Sequence, residues 1–321
     1  MPNRTVMMMV GPDGVGKTTL LATMYHELSN LEDDDNDDQS GFELVASQDT
    51  HHDLQEAYQK LTTIVTQPTF TPTGPLLKGT AGLIERQFEM VFKGKKELDL
   101  VFCDIAGGII QANEGNRDFD EFKTRLEQAV VIINVIDGSA LVEGNDSLSA
   151  KKNNPRQIEK LLQPILTNPQ NHLLLFVITK CEAWLKNEKT QTLLERAFEK
   201  QYEMMLKWLK HVENVVAVLI PVKTLGCVEF TRIDSHGDEQ EMVFIRKPNL
   251  RFCPENTDQP LRYALAFALL QHNQNRSQWN QFVRWIFNED VAFQKALTEF
   301  AQGRSQTFKI YGNSSLIEVT K

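Results

Sequence analysis

Cysteine is scarce: the 321 residues hold four, and Cys103, Cys181, Cys227 and Cys253 form no C-x-x-C pair. That argues against both a disulfide framework and a zinc site. No apolar run reaches the ~18 residues that a membrane span requires. The opening stretch MPNRTVMMMV is too short for a secretory leader and carries no cleavage site. A basic excess is missing as well: 34 Lys and Arg stand against 43 Asp and Glu, a net charge of −9. Such a surface repels nucleic-acid phosphates and anionic lipid, so neither is an expected partner. A cytoplasmic location is expected. The His51–His52 pair, near an expected helix start, has no evident ligand set and reads as surface or helix-capping.

What remains is the composition of a globular chain, 41% hydrophobic and 24% charged, long enough to bury a sizeable core. Short β-like runs alternate with helical patterns, which predicts an α/β fold around a mostly parallel sheet. Six strands are expected, at Thr5–Val10, Ile84–Phe92, Leu98–Cys103, Val130–Ile136, Leu173–Thr179 and Val215–Pro221. The second and third are joined by so few residues that they must form an antiparallel hairpin. Helices are expected near Lys17–Leu31, Asp53–Thr66, Pro155–Leu166 and Thr192–Val212. The acidic run Glu32–Asp38 lacks the spacing of a calcium loop and reads as solvated. Cys227–Lys247 reads as a second β-hairpin, and the chain beyond Pro260 as helical, with apolar stripes LRYALAFALL and WNQFVRWIF. The expected division is a nucleotide domain over residues 1–226 and an extension over 227–321 packed on it.

The strongest motif is GPDGVGKT, Gly11 to Thr18, which fits G-x-x-x-x-G-K-[ST] between a strand and a helix. Such a loop curls so that several N–H groups, at the positive end of a helix dipole, converge on phosphate oxygens. Gly11, Asp13, Gly14, Val15, Gly16, Lys17, Thr18 and Thr19 are the expected phosphate-binding residues. Lys17 should reach the β- and γ-phosphates, and the Thr18 hydroxyl should ligate Mg²⁺. This loop alone does not separate a GTPase from an ATPase or a nucleotide kinase. Further along, the strand LDLVFCDIAGG ends in D-x-x-G. Asp104 is placed to hold a Mg²⁺-bound water and Gly107 to offer its N–H to the γ-phosphate.

With these motifs the chain resembles the Ras-like P-loop GTPases. The resemblance implies a Ras-like G domain that binds GTP or GDP with Mg²⁺ and hydrolyses GTP slowly. It also implies that Thr179, Lys180 and Glu182 of ITKCE read guanine, although Glu182 stands where the family has Asp. Val222, Lys223 and Thr224 of IPVKTLG correspond to the last base-contacting loop. QPTFTPTGPLLKGT offers the threonine that completes the metal site, with Thr73 favoured slightly over Thr80. The family's water-positioning Gln after D-x-x-G is replaced by Gly108, leaving Gln111, Glu114 and Arg117 as candidates; Gln111, with Lys17 and Gly107, completes the expected catalytic set. The P-x-T segment, IPVKTLG, the following hairpin and a Pro-Asn element before a final helix are similar to the bacterial double-GTPase family. A protein effector or regulator, and a homodimer, are the partners in view. An ATPase or nucleotide kinase and a non-hydrolysing nucleotide binder are the alternatives.

Overall fold

Alternation within the first strand sets the layers. In the computed structural model, which describes residues 4–33, 41–67, 76–77, 79–80, 82–111, 116–236, 239–277 and 289–318, β1 is Arg4–Val10. Its Met7 and Met9 point into one apolar cluster, while Met8 and Val10 point into another on the opposite face. The chain then runs through α1 (Lys17–Asp33), β2 (Phe42–Ala46), α2 (Gln48–Thr66), β3 (Leu83–Phe92) and β4 (Lys95–Ile105). A short 3-10 turn (Gly107–Gln111) leads to α3 (Arg117–Gln128) and β5 (Ala129–Asp137). After α4 (Gly138–Val142), α5 (Asp146–Asn153) and α6 (Pro155–Leu166) come β6 (His172–Thr179), α7 (Glu188–Gln201), α8 (Glu203–Leu209) and β7 (Val215–Pro221). The last elements are β8 (Val228–His236), β9 (Glu239–Arg246), α9 (Gln259–Ser277), α10 (Glu289–Gln302) and β10 (Lys309–Gly312).

The sheet has eight strands in the order β10-β7-β6-β5-β1-β4-β3-β2. The five from β7 to β4 are parallel, and β3 turns back antiparallel through Lys93 and Gly94, both at positive φ. Strands β6 and β7 are buried along their whole length, which is why they read as unbroken apolar runs. One face is covered by α1, α9 and α10, the other by α3, α6 and α7.

Two strands go beyond the expected six. FELVA pairs antiparallel with β3 at one edge, and KIYG pairs antiparallel with β7 at the other. Both are short, and β10 is exposed at three of its four residues, so neither makes the apolar run that marks a central strand. The long helix expected over Thr192–Val212 is broken at Tyr202, whose ring is buried and whose hydroxyl accepts a hydrogen bond from Asn134 Nδ2 at 3.3 Å. Helix α3, capped by Asn116, was not expected; its many charges hide Phe119, Phe122 and Leu126 on one buried stripe. In the tail, Leu261 through Leu270 is core. The second apolar stripe and the acidic residues after Asp33 lie outside the described residues. Among the described residues, no helix is long and apolar enough to cross a membrane.

Candidate functional site

The loop between β1 and α1 owes its path to Gly11. Its φ is 153°, and a Cβ there would sit 2.7 Å from the Val135 carbonyl oxygen, so a side chain would push the loop off β5. Val15 is buried core, whereas Asp13 and Gly14 are exposed. Lys17 opens α1 with only 7% of its surface exposed. Its ammonium donates to the carbonyls of Gly11 at 2.7 Å and Pro12 at 3.1 Å. Burial draws the Lys17 pKa down, opposed by the charges of Asp104 and Asp13.

Across the loop, β4 delivers Asp104, fully buried. Its Oδ2 accepts the Thr80 hydroxyl at 2.6 Å and lies 3.9 Å from an Arg86 nitrogen. Its Oδ1 has no hydrogen-bond partner among the described residues. Burial pushes the Asp104 pKa up, against Thr80, Arg86 and Lys17. Gly107 packs directly on the phosphate loop: a Cβ there would fall 2.2 Å from the Asp13 nitrogen. Only a glycine lets the two loops touch. Gln111 ends the same 3-10 turn, and its side chain is outside the described part, as are Thr73 and Glu114. Arg117 is exposed at the start of α3. Among the described residues, Thr80 reaches Asp104. Asp104 lies behind the cavity lining, joined to it through Thr80, and its unpaired carboxylate oxygen with Thr18 and Thr80 on the cavity makes a hard-oxygen donor set of the kind Mg²⁺ takes.

The strand-end motif of β6 is tied to the phosphate loop by hydrogen bonds. Thr179 Oγ1 donates to the Val15 carbonyl at 2.5 Å, and Lys180 Nζ to the Gly14 carbonyl at 2.5 Å. Lys180 takes a left-handed φ of 52° and also pairs with Asp137 at 2.7 Å. Burial alone would raise the Asp137 pKa, yet the Lys180 charge and the Lys180 and Ser139 hydrogen bonds hold it below the ordinary range. Asp137 was not anticipated from the sequence. It sits directly opposite Thr179 in the β5–β6 register and caps α4 through the Ala140 N–H. The D-G-S step closing an apolar strand was the available sign.

Glu182 is 6% exposed and turned toward the loop after β7, its Oε1 accepting the Leu225 N–H at 3.4 Å. Burial raises its pKa to about 7. A cavity of about 480 Å³ joins these parts, within the roughly 300–1,000 Å³ of small-molecule sites. Asp13, Gly14, Gly16, Lys17, Thr18 and Thr19 line it on the phosphate side, and Asp137, Thr179, Lys180 and Thr224 farther along. Gly11, Val15, Asp104, Glu182, Val222 and Lys223 are not part of the lining. Val222 is buried, and Lys223 is drawn away by a bridge to Glu255 at 2.6 Å. Leu225, Met242 and Phe244, none of them expected, complete the wall.

The profile of the double-GTPase 2 family matches residues 5–215. The chain belongs to the double-GTPase 2 family. Its fold is that of a Ras-like P-loop GTPase, and the chain is a GTPase-family domain. No curated protein matches it. Among solved structures, this double-GTPase 2 member is similar to the S. cerevisiae Ski7 GTPase-like domain bound to GTP, at 15% identity and a TM-score of 0.41, over 70% of this chain and 43% of that one. It is also similar to the SRb-GTP/SRX complex from Chaetomium thermophilum, at 15% identity and a TM-score of 0.34, over 69% of this chain and 91% of that one.

Proposed function

We propose that this chain is a guanine-nucleotide switch that binds GTP with Mg²⁺, hydrolyses it slowly and signals its nucleotide state to a partner protein. The observation that carries the reading is the pair of hydrogen bonds from Thr179 and Lys180 to the carbonyls of Val15 and Gly14. They tie the strand-end motif of β6 to the phosphate loop, which supports reading the two as parts of one nucleotide site.

In this reading the loop N–H groups and Lys17 hold the β- and γ-phosphates, Lys17 exchanging its two carbonyl partners for phosphate oxygens. Thr18, Asp104 and Thr80 hold the metal ion, which when bound neutralises charge on the β- and γ-phosphate oxygens. Gly107, already against Asp13, presents its N–H beside the terminal phosphate. That contact would be lost with the phosphate, releasing the turn Gly107–Gln111 and the start of α3 for a partner to read. Gln111 is the candidate to orient the attacking water. Glu182 lies behind the cavity wall and would have to turn into the cavity to accept the N1 and N2 hydrogens of guanine, which adenine does not present.

One observation favours a second reading. Glu182 accepts the Leu225 N–H through one oxygen and is not part of the cavity lining, which fits a site tolerant of adenine. Single-turnover phosphate release from GTP tests the switch. We expect intrinsic hydrolysis on the order of 10⁻³ s⁻¹ or slower, as in unassisted P-loop GTPases. A rate near 1 s⁻¹ would contradict a slow switch, and no release at all would leave a binding module.

A further inference from the structure

The hairpin of β8 and β9 stands apart from the main sheet yet forms a wall of the cavity. On β9, Gln240, Glu241, Met242 and Phe244 line it. Gln240, Met242 and Phe244 lie two residues apart and so share one face of the strand. Phe244 packs against the apolar cluster that holds Leu225 and Val228, as Leu76 and Leu77 do. All five line the cavity and give it an apolar wall beside the polar phosphate loop.

The hairpin is locked to the motif ITKCE rather than resting on it loosely. Lys180 Nζ lies over the Phe244 ring at 5.6 Å from its centroid. Phe230, the cross-strand partner of Phe244, stacks on Trp184 with centroids 5.6 Å apart and ring planes 27° apart. Trp184 lies in the turn that carries Glu182, its N–H bonded to the Cys181 carbonyl at 2.9 Å. Lys186, just beyond, pairs with Glu229 of β8 at 2.8 Å, and Ser139 Oγ lies 2.8 Å from Met242 Sδ. An aromatic chain Trp184–Phe230–Phe244 thus returns to Lys180, which itself grips the phosphate loop.

We propose that Phe244 is a base-binding residue: its ring, beside Lys180 at the apolar wall of the cavity, stacks on the purine of the bound nucleotide. The hairpin is then part of the nucleotide site and not an appendage to it. This inference rests on the nucleotide reading proposed above. A flat aromatic ring next to a cation offers a purine face both stacking and an electrostatic partner, and stacking tolerates either purine.

The test compares equilibrium binding of GTP and of inorganic tripolyphosphate, both with Mg²⁺, to the full chain as wild type, Phe244→Ala and Phe244→Tyr. We expect Phe244→Ala to weaken GTP about 5- to 100-fold, the range of a lost base–aromatic stack. Tripolyphosphate binding should stay within about twofold of wild type, and Phe244→Tyr should restore GTP binding. Unchanged GTP affinity in Phe244→Ala overturns the inference alone. Equal loss of both ligands overturns it too, because the ring would then act through the fold. If wild type binds neither ligand, the nucleotide reading falls and takes this inference with it.

Discussion

Replacing Glu182 by Gln should stabilise the nucleotide-free protein at pH 8 and leave it nearly unchanged at pH 4. The Glu182 carboxylate is 6% exposed, and burial raises its pKa from 4.5 to about 7. Below pH 4.5 the group is protonated in both folded and unfolded chains and costs nothing. Between pH 4.5 and 7 the unfolded chain ionises first, so stability falls as pH rises. Above 7 both states are ionised and the penalty is constant, about 3 kcal/mol for the gap between 4.5 and 7. Gln fills nearly the same volume and does not titrate. Urea unfolding of both proteins at pH 4, 6 and 8, without nucleotide, measures the difference directly. We expect it to grow from near zero to about 3 kcal/mol in favour of Glu182→Gln. A gap of the same size at all three pH values would refute the argument, because it would come from contacts and not from ionisation.

The Asp137→Ala variant should lose the cap of α4 and the anchor of Lys180 together. Loss of an N-cap costs about 1–2 kcal/mol of stability, readable by urea unfolding, and GTP affinity should fall because Lys180 keeps only its bond to the Gly14 carbonyl. Unaltered nucleotide binding would remove Asp137 from the site. If Gln111 orients water, Gln111→Ala should lower the single-turnover rate of GTP hydrolysis without changing GTP affinity; an unchanged rate would assign the water to another group.

The parts legible in the sequence are those whose chemistry needs fixed spacing or continuous burial. The phosphate loop is one unbroken segment, and Asp104 and Thr179 each end a strand that reads as apolar because helices cover both faces. Asp137 and Phe244 were not legible for the opposite reason. Each reaches the site through tertiary pairing: Asp137 through the β5–β6 register, Phe244 through a hairpin that folds back over the cavity. Lys223 shows the limit of a motif match. IPVKTLG was located in the sequence, but the backbone pairing of Lys223 with Glu255 turns that side chain toward Glu255, and Thr224 is left to line the cavity. The edge strands β2 and β10 were invisible because half-buried edges carry no run of apolar residues.

The most direct test of the central claim is calorimetric titration of GTP and ATP, each with Mg²⁺, into wild type and Lys17→Ala. The account predicts GTP bound by wild type much more tightly than ATP, and no detectable binding of either to Lys17→Ala. Equal affinity for the two nucleotides would contradict guanine recognition, and undiminished GTP binding by Lys17→Ala would contradict the phosphate loop itself.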